Sequence, residues 1–122
     1  MTIDIKSKTE LGMYKNYINF LHPIFKVAPQ EQDVLGYLMM KYNTIAKDVN
    51  SVEYINRLLF NTDTRTEIAK ALDISKIRYN GILTKFRSMG LVKGRVLTQK
   101  IVPKIVDGVI EINVRIHEER NV

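Results

Sequence analysis

The sequence predicts a mainly α-helical domain closed by a small antiparallel β-hairpin, an α+β fold. Two observations predict it. Before Gly90, apolar residues recur at helical spacing in five successive stretches, the last four opened by a recognisable start signal. After Gly90 the period drops to two, around an Asp107-Gly108 hairpin signal. A third observation concerns charge. Between Asp73 and Asp107 stand Lys76, Arg78, Lys85, Arg87, Lys93, Arg95, Lys100 and Lys104, without one Asp or Glu. The chain holds 19 basic and 13 acidic residues, so the rest of it is left with 11 basic against 13 acidic. The whole positive excess therefore sits in one stretch, as a polyanion-binding surface requires.

Residues 1–9 are polar, with Ile3 and Ile5 alternating, and form either an arm or a short edge strand. Leu11, Tyr14, Ile18 and Leu21 mark a first helix, stopped by His22-Pro23 because the residue before proline leaves the α region. Pro29 suits the first position of a second helix, and Glu31 and Asp33 favour its positive end. Its stripe is Val34, Leu35, Leu38, Met39 and Tyr42. Asn50-Ser51 offers caps for a third helix with Val52, Ile55, Leu58 and Leu59 facing inward.

Thr64-Arg65-Thr66-Glu67 fits a capping box that opens a short fourth helix, burying Ile68, Ala69 and Leu72. Asp73 tolerates a left-handed turn, and Ser75 caps a fifth helix running to about Met89. Gly90 supplies the left-handed stop. Around Asp107-Gly108, Val106 pairs with Val109, Ile105 with Ile110 and Lys104 with Glu111. The register then continues through Pro103–Ile112, Val102–Asn113 and Ile101–Val114. One face is then apolar, and the other carries a Lys104–Glu111 pair.

The bulk properties exclude several classes. A chain of 122 residues is one domain that closes a core without metals or disulfides. It has no cysteine, so thiolate nucleophiles and Cys-based metal sites are absent. No apolar run approaches membrane length, and the N-terminus lacks the core of a signal peptide, so the expected location is cytoplasmic. His22 and His117 have no ligand spacing, and no nucleophile set or phosphate-binding glycine loop is present. Neither an enzyme nor a small-molecule cofactor is expected.

The run Ile68-Ala69-Lys70-Ala71-Leu72-Asp73-Ile74-Ser75, followed by Ile82, Leu83, Phe86 and Gly90-Leu91-Val92, resembles a winged helix-turn-helix. It is similar to the segment found in multiple-antibiotic-resistance-type bacterial regulators, and the resemblance covers residues 64–116. It implies a helix-turn-helix at 64–90 and a wing at 91–116, within a domain spanning 28–122. Residues 1–27 then form an N-terminal arm and helix, an oligomerisation or docking element. Small Ala69 lets two helices cross closely, while Tyr79, Ile82, Leu83 and Phe86 bury the second helix and free its other side for a major groove.

Carried over by position, the base-contacting candidates are Ile77, Arg78, Asn80 and Gly81. Arg78 and Asn80 have side chains able to grip guanine and adenine edges. Lys76, Lys85, Lys93, Arg95 and Lys100 are cast as phosphate contacts, joined by Thr64 and Thr66 at the start of the preceding helix. The implied partner is double-stranded DNA, bound by a small regulator acting as a dimer through the aromatic stripe of helix 10–21.

Three features depart from the pattern: Gly81 in mid-helix, apolar Ile77 on the exposed face, and an acidic hairpin tip. They suit a second reading, a structural component of an assembly. The Ile/Asn/Lys-rich composition resembles small winged-helix proteins of tailed bacteriophages, which implies a place in a virion. A third reading is the DNA-docking part of a replication or partition initiator.

Overall fold

The computed structural model describes residues 2–3, 10–20, 26–98, 102–106 and 109–111. Its elements are β1 (Thr2–Ile3), α1 (Glu10–Phe20), α2 (Pro29–Ala46), α3 (Val52–Leu59), α4 (Thr62–Ala71), α5 (Lys76–Ser88), β2 (Val92–Lys93), β3 (Val96–Leu97), β4 (Lys104–Val106) and β5 (Val109–Glu111). Mainly helical with small antiparallel sheets, it matches the expected α+β class.

The long helix α2 is the axis of the core. All five stripe residues, Val34, Leu35, Leu38, Met39 and Tyr42, are buried. On one side α1 lays Tyr14, Tyr17 and Ile18 into the same core. Polar ties fix that pair: Lys15 lies 2.8 Å from Asp33, and Gln32 donates to Asn19 at 2.8 Å. Tyr14 and Tyr17 of the aromatic stripe expected to join two copies are buried within the chain. Of that helix's large apolar residues on the described face, Phe20 alone is more than half exposed.

Ser75 accepts from the Arg78 amide and opens α5, as the sequence predicts. Asp73 takes a left-handed φ of 53°, and Gly90 one of 79° after the C-cap Met89. Two other starts differ from expectation. The cap of α4 is Asn61, which accepts from the Thr64 amide at 2.8 Å, so the helix begins at Thr62. Thr64 is thus inside the first turn, where its hydroxyl donates to the Leu58 carbonyl at 2.7 Å. Glu67, expected to close the capping box, instead meets the Lys41 ammonium at 3.0 Å. In α3, Val52 is exposed and Asn56 is buried in its place. The Asn56 amide donates to Val52 O and accepts from the Leu97 amide, each at 2.9 Å. A polar side chain is buried there because it satisfies a strand amide that has no other partner in the ribbon.

The β structure is divided. Directly after α5 comes a two-stranded ribbon, β2–β3, pairing Val92 with Leu97 and Lys93 with Val96. Gly94, at φ 62°, makes its turn, and Val92 and Leu97 enter the core. The Asp107-Gly108 hairpin has the predicted register, Lys104↔Glu111, Ile105↔Ile110 and Val106↔Val109. It belongs to a separate sheet of order β1-β5-β4, in which Thr2 and Ile3 pair with Glu111 and Ile110. Thr2–Ile3 is therefore an edge strand. The single wing expected over 91–116 corresponds to two hairpins, β2–β3 directly after α5 and β4–β5 further along the chain. Its pairing beyond Lys104 and Glu111 lies outside the described residues, as do His22, His117 and the tip itself.

Candidate nucleic-acid interface

Helix α5 has four longitudinal faces, set by its 100° rotation per residue. Tyr79, Ile82, Leu83 and Phe86 are buried against the body. Opposite them runs an exposed ridge of Ile77, Gly81, Thr84 and Ser88, at i, i+4, i+7 and i+11. Ile77 is 86% exposed, and a methyl added at Gly81 would meet nothing within 4 Å. The ridge is low and carries no charge.

Arg78 and Lys85 flank the ridge on the side of the α2 N-terminus. The Arg78 Nε donates to Gln30 Oε1 at 2.7 Å, which orients its guanidinium. The Lys85 ammonium lies 2.7 and 3.0 Å from the two oxygens of Glu31, itself 5% exposed. Glu31 also accepts from the Ala28 amide at 2.8 Å. Burial would raise its pKa, but the Lys85 hydrogen bond, the Ala28 amide and the nearby Lys85 and Arg78 charges outweigh that and hold it below the ordinary value. Lys85, expected to meet phosphate, forms an ion pair between α5 and α2 while its side chain stays 44% exposed.

That pair has a pH signature. The folded pKa of Glu31 lies below its unfolded value of 4.5, so the contribution is complete above that value and is lost as pH falls through the folded pKa. Glu31→Gln is expected to cost about 1–2 kcal/mol at neutral pH, discounted for the solvent access of Lys85. The difference from wild type should shrink on acidification below pH 4.5, as chemical denaturation across pH would register.

On the other flank stand Asn80 and Arg87 of α5, Arg57 of α3, Arg65 of α4 and Arg95 of the ribbon turn. They surround a cavity of about 320 Å³ whose floor includes Tyr79 and Leu83. Arg87 Nε donates to the Gly94 carbonyl at 2.9 Å, which fastens the ribbon to the helix. Arg65 approaches Asn80 Oδ1 at 3.5 Å and Thr62 Oγ1 at 3.4 Å. Burial pushes the Tyr79 phenol up to about 12 against the opposing pull of Arg65 and Arg87, so it stays a neutral hydroxyl.

Of the residues singled out by sequence, Lys76, Ile77, Arg78, Asn80, Gly81, Lys93 and Arg95 are exposed on α5 and the ribbon. Thr66 is exposed on α4, whereas Thr64 is 7% exposed and bonded to Leu58, which removes its side chain from any contact with phosphate. Lys100 lies outside the described residues. Sequence reasoning missed Arg57 and Arg65, which fall before the acid-free stretch, and did not assign Arg87 to the site. Packing of α3 and α4 against α5 brings all three together, and no local pattern encodes that.

Among the described residues, no group of His, Asp or Glu is arranged to hold a metal ion, and no helix is long and apolar enough to cross a membrane. No protein-family model, curated protein or solved structure matches this chain.

Proposed function

We propose that this chain is a winged-helix protein that reads duplex DNA, with α5 as the recognition helix and the β2–β3 ribbon as a short wing. The observation that carries the reading is the layout of α5: a low, uncharged ridge between two flanks rich in arginine and lysine. An α-helix fits the major groove, with its ridge toward base edges and its flanks toward the two phosphate backbones. Ile77 suits a thymine methyl, and Asn80, at the ridge's edge, suits an adenine. Lys76, Lys93 and Arg95 serve as backbone contacts. A small regulator is the role this supports best.

Site selection from random duplexes, followed by fluorescence anisotropy, tests it. Asn80→Ala should lower discrimination at one base position by about 1–3 kcal/mol. Lys76→Ala should weaken binding evenly on all sequences. Gly81→Ala is informative because its two effects oppose. The methyl enters open space and should stabilise the helix by about 1 kcal/mol, while lowering affinity wherever the backbone must approach DNA closely.

The exposure of Ile77 favours one second reading, an assembly component that docks protein through the same ridge. Under that reading Asn80→Ala leaves duplex binding unchanged, and Ile77→Ser abolishes incorporation into the assembly.

A further inference from the structure

We infer that the cavity enclosed by α3, the start of α4, α5 and the β2–β3 turn is a binding site for a phosphate group. Four guanidiniums line it, Arg57, Arg65, Arg87 and Arg95, each from a different element, and its lining includes no carboxylate. Glu53 lies 3.5 Å from Arg57, but both side chains are largely in water, so that pair neutralises little. Bringing four like charges around one hollow is unfavourable unless an anion occupies it.

The donors are incompletely used. Arg65 Nε is buried and has no hydrogen-bond partner among the described residues. A buried donor left unmade costs about 1–3 kcal/mol, so the Arg65 guanidinium gains by turning toward an acceptor. The two terminal nitrogens of Arg65 make only long contacts, at 3.5 and 3.4 Å, so they too have better bonds to gain. Arg87 is held through Nε by Gly94 O, which leaves its terminal nitrogens fixed in direction rather than free to wander. The positive end of α4 opens at Thr62 on the same hollow.

Planar forks converging from several sides match a tetrahedral oxyanion better than a carboxylate, which offers two oxygens in one plane. At about 320 Å³ the hollow exceeds a single phosphate, and Phe60 and Leu83 give it apolar wall for whatever carries the group. The assignment stands apart from the duplex reading, because the cavity selects the group and not its carrier. That carrier is either a backbone phosphodiester or a free phosphorylated molecule.

The test follows arginine Nε–H resonances of the full chain by NMR at constant ionic strength, titrating inorganic phosphate, pyrophosphate and a short DNA duplex separately. Pyrophosphate should shift the Arg65 and Arg87 signals saturably. Arg65→Gln and, independently, Arg87→Gln should each weaken its binding about tenfold. Lys47→Gln, an equal loss of charge at the exposed end of α2 and outside the cavity, should change it less than about twofold. Matching circular dichroism melts establish that each variant is folded. If duplex moves the same signals and pyrophosphate competes with it, the carrier is the backbone. If pyrophosphate binds and duplex leaves those signals still, it is a free phosphorylated molecule. Absence of saturable shifts with all three probes, or equal sensitivity to Lys47→Gln, overturns the assignment. Duplex binding that persists without cavity shifts from any probe overturns it too, while leaving the duplex reading intact.

Discussion

Raising salt from about 50 to about 200 mM is expected to weaken duplex binding about fortyfold. The magnitude comes from counting cations that the fold leaves available. Lys76, Lys93 and Arg95, the proposed backbone contacts, are exposed on α5 and the ribbon. Three phosphate contacts give a slope of log affinity against log salt of about −3, because each neutralised phosphate releases close to one condensed counterion. Lys76→Ala should flatten the slope by about one unit. Lys85→Ala should leave it nearly unchanged, since Glu31 already holds that ammonium at 2.7 Å. Fluorescence anisotropy at several salt concentrations supplies both slopes. A flat salt response in the wild type would refute the duplex reading, and a Lys85→Ala slope as shallow as that of Lys76→Ala would refute the structural role of the ion pair.

The second large effect is on stability. Phe86→Ala should lower the unfolding free energy by about 3–5 kcal/mol. Phe86 is fully buried where α5 meets the core and the ribbon, and it is among the largest side chains with no solvent access. Its carbonyl also accepts from the Leu91 amide at 2.9 Å, a backbone bond the substitution leaves in place. The loss is therefore one of packing. Against the marginal stability of a small domain it corresponds to a fall in Tm of about 10–20 °C. Ile77→Ser, on the same helix but 86% exposed, should change stability by no more than about 0.5 kcal/mol. Thermal melts of the two variants measure how strongly the faces of α5 differ. Equal melts would contradict the burial pattern.

Elements governed by neighbouring residues were legible in the sequence. Ser75 before α5, Asp73 and Gly90 at φ > 0, the Val34-to-Tyr42 stripe and the Lys104–Glu111 register all follow from contacts a few residues apart. The failures share a cause. Asn61 displaced Thr64 as the α4 cap because helix starts compete, and two candidates stood within one turn. Asn56 looked like a surface residue, and its burial depends on the Leu97 amide, 41 residues away in the chain. The β2–β3 ribbon was hidden because its strands are two residues each, too short to show alternation.

The candidate site divides along the same line. Lys76, Ile77, Arg78, Asn80 and Gly81 were placed on an exposed face of one helix by spacing and capping alone, since a helix fixes the direction of every side chain along it. Which charges stand free on that face is a different kind of fact. Lys85 is neutralised by a glutamate from α2, and Arg57 and Arg65 arrive from helices outside the acid-free stretch. A count along the chain registers charges but not distances, and electrostatic energy depends on distance. The basic stretch thus reads from sequence as one undivided patch. Packing separates it into an ion pair on one flank of α5 and an arginine-lined cavity on the other.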